Sequence, residues 1–338
     1  MPRRPGPWWV DLEREELLDV RISDLDLTIE DSALARRVER LYSELERAGL
    51  RFRPHVWLST SWFTPDGVPG FAIPFFLAHP RLARIEHAHM FEVEGGSHDW
   101  CMKLLRHETG HAIDNAFRLH WRKGWREAFG AFSQPYRDTY QPNPTSRRYV
   151  FNLDHWYSQS HPAEDWAECF AVWLRPGGRW RTRYAGWPAL KKLEYVDRLM
   201  QEVAGEAQKV RSRRRPEALS QARITLREYY RQKKEYYGTE PAEYDRYLLR
   251  LFSSDRSQRP TAASFLRRNR DQLRTEVSAM TGQVRYVVDQ ALRQMIAGCV
   301  RHQLRLTRSE AETRVRAAIL LTMGTMRYIQ GRRQEFVR

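Results

Sequence analysis

Two histidines one helical turn apart, in the run His107-Glu108-Thr109-Gly110-His111, constrain this chain more than any other feature. Residues four apart on an α-helix project from one face, so both imidazoles can reach a single zinc ion if the run is helical. Glu108 lies beside them, where a carboxylate can take a proton from the attacking water and later hand it to a leaving amine. Five such residues also occur by chance on helical surfaces, so their surroundings matter. Leu104, Leu105, Ala112, Ile113 and Ala116 give the same segment an apolar face, which marks a packed helix. Glu92, Glu94 and Gly95-Gly96 come just before it, as they would if a strand delivered the chain into the helix.

A site of this kind needs a third protein ligand. A third histidine ten residues after the first is ruled out: Phe117 holds that position, and Asp114 stands where such a motif has glycine. The downstream run His161-Pro162-Ala163-Glu164-Asp165-Trp166-Ala167-Glu168-Cys169-Phe170-Ala171 offers carboxylates instead. Glu164 and Glu168 share a helical face, and Ala167 and Ala171 keep the surface beside them small. One glutamate can bind the metal while the other anchors a ligand histidine from behind.

The stretches RHETGHAIDNAF and HPAEDWAECFAVWL together resemble the active-site halves of the anthrax toxin lethal factor group of gluzincin metallopeptidases. They resemble still more closely a bacterial family of zinc-binding metallopeptidases. The resemblance implies a zincin-like catalytic domain over roughly residues 15–204, with His107, His111 and Glu164 as zinc ligands and Glu108 as general base. It also implies Glu168 behind the ligands, Tyr157 as the donor that stabilises the oxyanion, and Asp114 as a further acid near the site. Only the two helical motifs are specific. The interval from His111 to Glu164 suggests an insertion, which would gate the site if residues 121–160 lay over it.

The rest of the chain predicts an α+β fold followed by an all-α part. Leu34, Val38, Leu41 and Leu45 recur at helical spacing over 31–48, and Gly49 stops the run. Residues 53–61 and 70–78 read as strands of a hairpin or meander around the turn-forming Pro65-Asp66-Gly67. A third strand over 89–94 would offer an edge to which an extended peptide could pair. Helices are expected from near Pro162 to a stop at Arg175-Pro176-Gly177-Gly178 and from Pro188 to about Ala204, and beyond 205 every segment reads as helical.

Charge divides the chain as well. Residues 1–204 hold 28 basic and 28 acidic residues, whereas 205–338 hold 29 and 14, so the second part carries the whole net charge of +15. The expected organisation is therefore a catalytic domain over 1–204 and a basic helical domain over 205–338. That basic part has three readings. It is a docking surface for nucleic acid, with Tyr229, Tyr230, Tyr236 and Tyr237 among the arginines; a surface for an acidic protein or substrate; or a solvated helical face. A partner-tethered protein whose basic part carries the main binding function is the alternative to a zinc-dependent peptidase. A zinc protein without turnover fits less well, because Glu108 is intact. The three cysteines form no framework, and no apolar run approaches the ~20 residues of a membrane span. The expectation is a cytoplasmic protein acting on a peptide or protein substrate.

Overall fold

A computed structural model of the chain describes residues 7–137, 140, 142–238, 244–254 and 260–331. The fold is α+β, mostly helical with one two-stranded sheet. Its helices are α1 (Arg14–Leu18), α2 (Ala33–Arg47), α3 (Pro80–Met90), α4 (His98–Phe117), α5 (Lys123–Phe129), α6 (Pro162–Leu174), α7 (Trp180–Arg183) and α8 (Ala189–Val203). There follow α9 (Leu226–Tyr236), α10 (Asp245–Leu251), α11 (Ala262–Arg268), α12 (Arg270–Thr281), α13 (Arg285–Arg301) and α14 (Glu310–Gly331). The strands are β1 (His55–Ser59) and β2 (Gly70–Pro74). Among the described residues no helix is long and apolar enough to cross a membrane.

The chain forms two compact units. One holds the described residues up to Ile85 and those from Val93 to Glu228; the other holds Glu86–Glu92 and the described residues from Tyr229 on. The first unit thus runs past the boundary expected at 204/205. Residues 209–217 are the reason, because their backbone is bonded into it. Lys209 and Val210 donate to the Ala116 carbonyl (2.9 and 3.0 Å), and the side chains of Trp57 and Ser59 donate to the carbonyls of Pro216 and Glu217.

In the first unit α2 packs its expected apolar stripe, Leu34, Val38, Leu41 and Leu45, into the core. Ser32 caps its start by accepting from the Leu34 amide. The two strands pair in parallel, with His55 opposite Gly70 and Ser59 opposite Pro74, so the expected hairpin is not what forms. The turn residues do their work elsewhere. Val68 N–H bonds back to the Pro65 carbonyl, and Gly67 takes φ +69°. Asn115 of α4 then grips the bend by donating to the Pro65 and Val68 carbonyls and accepting from Gly67 N–H. The connection is thereby drawn onto α4 rather than folded into a tight turn.

The strand expected over 89–94 is also absent. Residues 80–90 are helical, with Pro80 opening the helix and Leu82, Ile85 and Met90 buried at helical spacing, and the chain then turns at Phe91, φ +65°, and at the Gly96 N–H bond to the Val93 carbonyl. An extended peptide therefore finds no sheet edge there.

Helix α4 is buried along nearly its whole length, including Arg106, whose guanidinium meets the buried Glu44 of α2 through two bonds of 2.7 and 2.9 Å. It packs on α6 at Gly110. A Cβ there would sit 2.8 Å from Ala167 Cα, and Trp166 Nε1 donates to the Gly110 carbonyl at 2.7 Å. Gly110→Ala is accordingly expected to destabilise the fold. The helix-propensity gain of about 1 kcal/mol is outweighed by an overpacking cost of about 1–3 kcal/mol, since backbone must move. Chemical denaturation checks this, and unchanged or raised stability would count against it.

The second unit builds its own core from Leu248, Phe265, Leu273, Val288, Leu292, Met295 and Leu321, with Asp289 buried among them.

Candidate metal centre

Two helices meeting at small residues bring distant side chains together. Ser97 caps α4, and His161 caps α6 by accepting from the Ala163 amide through Nδ1, with Pro162 in the first turn. The close approach at Gly110 and Ala167 sets the face carrying His107 and His111 against the face carrying Glu164 and Glu168.

Three atoms converge. His107 Nε2 lies 3.2 Å from His111 Nε2 and 3.0 Å from Glu164 Oε2, and His111 Nε2 lies 3.3 Å from the same oxygen. Bonds of about 2.0–2.1 Å to a tetrahedral ion would separate such ligand atoms by roughly 3.3 Å, so the triangle has the right size. The two imidazole nitrogens face each other and the same carboxylate oxygen, so all three atoms would meet one ion placed between them. His107, His111 and Glu164 can therefore hold a metal ion, with His107 and Glu164 buried and His111 half-buried.

Glu168 lies behind them, fully buried. Its Oε1 meets His107 Nδ1 at 2.9 Å and accepts from Asn152 Nδ2 at 2.9 Å, while Oε2 accepts from Leu153 N–H at 2.8 Å. A proton on Nδ1 directed at Glu168 leaves the Nε2 lone pair free for the ion. Of the two glutamates that the sequence leaves open, Glu164 reaches the convergence point and Glu168 the back of the ring.

The charges are strongly coupled. Burial works against a charge on His107, yet Glu164 and Glu168 together hold its pKa well above the ordinary imidazole value. Burial likewise opposes the Glu164 carboxylate, but His111 and His107 outweigh it and hold the group well below the usual range.

Glu108 sits next to His107 and is fixed from outside its helix. Thr64 Oγ1 donates to Glu108 Oε2 at 2.7 Å and lies 3.2 Å from the Glu108 carbonyl. Thr64 reaches it because Asn115 holds the neighbouring bend onto α4. Tyr157 packs its ring 5.7 Å from that of His107. Burial, and after it the charge of Glu164, push this phenol well above its ordinary pKa, so it remains a neutral O–H donor.

Asp114 serves a different purpose. Its carboxylate accepts from His120 N–H at 2.7 Å and meets His120 Nδ1 at 2.8 Å, and the His120 ring stacks on Phe132. It thus fixes the chain leaving α4.

The segment between the motifs closes on the site at both ends. His161 Nε2 meets the Gln134 carbonyl, its ring stacks on Tyr136 at 3.8 Å, and Tyr136 Oη donates to Glu164 Oε1 at 2.9 Å. The other end supplies Asn152 and Leu153 to Glu168. Thr64, Tyr136 and Asn152 are residues that sequence reasoning missed, and none lies in a motif. In comparisons with known proteins, no family model, no curated protein and no solved structure matches the chain.

In the second unit, two of the tyrosines read as base-stacking candidates are unavailable. Tyr229 and Tyr230 are buried, and Tyr230 stacks on His89 at 4.2 Å. Part of the basic excess is also consumed internally, by the arginines around Asp289.

Proposed function

We propose that this chain is a zinc-dependent peptidase of zincin type, with His107, His111 and Glu164 as metal ligands and Glu108 as general base. The convergence of two imidazole nitrogens and one carboxylate oxygen beside a fixed glutamate carries the reading. Two histidines and a glutamate suit zinc and leave a coordination position open for chemistry. The likeness of both motifs to gluzincin metallopeptidases points the same way.

Bound there, zinc supplies a Lewis acid that acidifies water and polarises a carbonyl. Glu108 takes the proton of the attacking water and returns it to the leaving amine, and Thr64 keeps Oε2 in place between those two transfers. Tyr157, held neutral, donates a hydrogen bond from its phenol O–H to the oxyanion that develops on the substrate carbonyl. Tyr136 and Glu168 position the ligands, Glu164 and His107 respectively.

Zinc content by elemental mass spectrometry tests the centre. About one zinc per chain is expected, lost chiefly in Glu164→Gln; Glu168→Gln should weaken binding by roughly 10–100-fold. Loss chiefly in Glu168→Gln would move the ligand by one turn. No zinc in any preparation, even after reloading, would sink the reading.

The two tyrosines should separate in the same assay. Tyr136→Phe removes the bond that orients Glu164 and is expected to lower zinc affinity. Tyr157→Phe should keep zinc and lower turnover on a peptide library by roughly tenfold to a hundredfold, the scale of one hydrogen bond to a charged centre. The opposite pattern would exchange their roles.

A further inference from the structure

A recess in the first unit, of about 410 Å³, lies at the far end of α4, beside Phe117. Leu50, Phe52, Phe117 and Val203 back it from the core, with the rings of Phe52 and Phe117 edge to face, and His55, Gln208 and Ser212 add polar groups to its lining. Its rim is cationic, with Arg51, Arg53, Arg211 and Arg213 all lining it.

This charge is not neutralised locally. Glu206 is the one acid at the rim, and its carboxylate is turned to Arg122 through bonds of 2.8 and 3.0 Å. Arg53 reaches only to 3.9 Å from the exposed Glu46. Among the described residues, Arg51, Arg211 and Arg213 pair with no carboxylate at all. A merely solvated face would ordinarily intersperse acids among its bases.

The fold also fixes the backbone that carries two of these arginines. The arm that carries Arg211 and Arg213 is pinned at both ends: Lys209 and Val210 to Ala116 on one side, and His55 Nε2 to the Arg214 carbonyl at 2.9 Å on the other. The Trp57–Pro216 and Ser59–Glu217 bonds extend that anchorage along β1. Cations whose backbone positions are fixed around a concave site need less reorganisation to receive an anion.

We propose that this recess binds a small phosphate monoester. Volume places the ligand among small molecules. Several guanidinium groups call for more acceptor oxygens than one carboxylate has, and phosphate supplies three on one centre. The volume leaves room for an organic remainder beside the phosphate, within reach of Gln208, Ser212 and His55. The site is separate from the metal centre, and nothing in the proposal depends on zinc or on peptidase activity.

Isothermal titration calorimetry on the full chain tests it, with adenosine monophosphate as the probe and adenosine and inorganic phosphate as half-ligands. Saturable binding of the monophosphate is expected, weakening as salt rises, with each half-ligand weaker by roughly tenfold or more. The Arg211→Ala/Arg213→Ala double variant, and separately Arg51→Ala, should each lose roughly tenfold or more in affinity. These side chains lie in exposed positions, and circular dichroism checks that the fold is retained. Absence of saturable binding would overturn the proposal, as would equal binding of inorganic phosphate. Affinity unchanged by the substitutions would overturn it too, since it would place the phosphate elsewhere, the metal centre included. A short oligonucleotide binding far more tightly through the same arginines would replace the small molecule with nucleic acid.

Discussion

Glu108→Gln is expected to lower peptide hydrolysis by about two to four orders of magnitude, the range for removing a positioned general base, while zinc content stays at the wild-type level. The substitution isolates one atom's chemistry. Glutamine keeps the length and shape of the side chain, and its amide oxygen can still accept the Thr64 hydroxyl, so the bend between β1 and β2 need not move. His107, His111 and Glu164 are untouched, and the buried contact between α4 and α6 at Gly110 is the same. What disappears is the carboxylate's ability to hold a proton between the attacking water and the leaving amine. Thr64→Val provides the graded comparison. It removes the fixing bond but leaves the base, and one hydrogen bond to a charged group is worth about 1.5–3 kcal/mol, a smaller loss than the base itself. Turnover on a peptide library, measured beside zinc content, reads both variants. Full activity in Glu108→Gln would remove the glutamate from the mechanism and leave the metal site without its proposed chemistry.

What the sequence disclosed about this site and what it hid divide along a physical line. His107, His111, Glu164 and Glu168 were legible because each pair lies one turn apart on a helix, and helical periodicity turns spacing directly into a shared face. Gly110 and Ala167, small residues on those two faces, carry the contact that joins them. Thr64, Tyr136 and Asn152 reach the same place from loops, where position follows from tertiary bonds such as Asn115 to the Pro65 carbonyl rather than from any local period. The errors have the same origin. Pro65-Asp66-Gly67 does bend the chain, but a bend alone does not decide whether the flanking strands run antiparallel; here Asn115 captures the bend and the strands run parallel. The short run over 89–94 fits a strand pattern, but the helix of Leu82, Ile85 and Met90 takes its first two residues, and Phe91 at φ +65° and the Gly96 N–H bond to the Val93 carbonyl turn the rest. Composition located the excess of positive charge but not its use. It placed a boundary at 204/205, whereas the backbone of 209–217 is held by groups of the first unit.

The second unit offers a test of equal weight that does not touch the metal centre. Asp289 of α13 is fully buried, and three guanidinium groups converge on it. Arg270 meets it at 2.7 and 2.5 Å, Arg274 at 3.0 Å, and Arg293, one turn along the same helix, at 2.9 Å. Arg274 is itself buried and lies over the Phe91 ring at 4.1 Å, so it cannot easily turn to water. Asp289→Ala would leave that cation in the core with only the exposed Asp271 carboxylate for compensation. Removing one partner of a buried ion pair costs about 3–5 kcal/mol, mostly because the stranded charge stays desolvated. Arg293→Ala removes a half-exposed partner and should cost less than about 1 kcal/mol. Urea unfolding followed by far-ultraviolet circular dichroism measures both, and tryptophan fluorescence locates the effect, because every tryptophan precedes residue 188 and so belongs to the first unit. A dichroism midpoint shifted far more by Asp289→Ala than by Arg293→Ala is the expected outcome. Equal small shifts would mean that the arginines of α12 reach solvent once Asp289 is gone, and that the hydrophobic contacts of Leu273, Val288 and Leu292 alone hold α12 against α13.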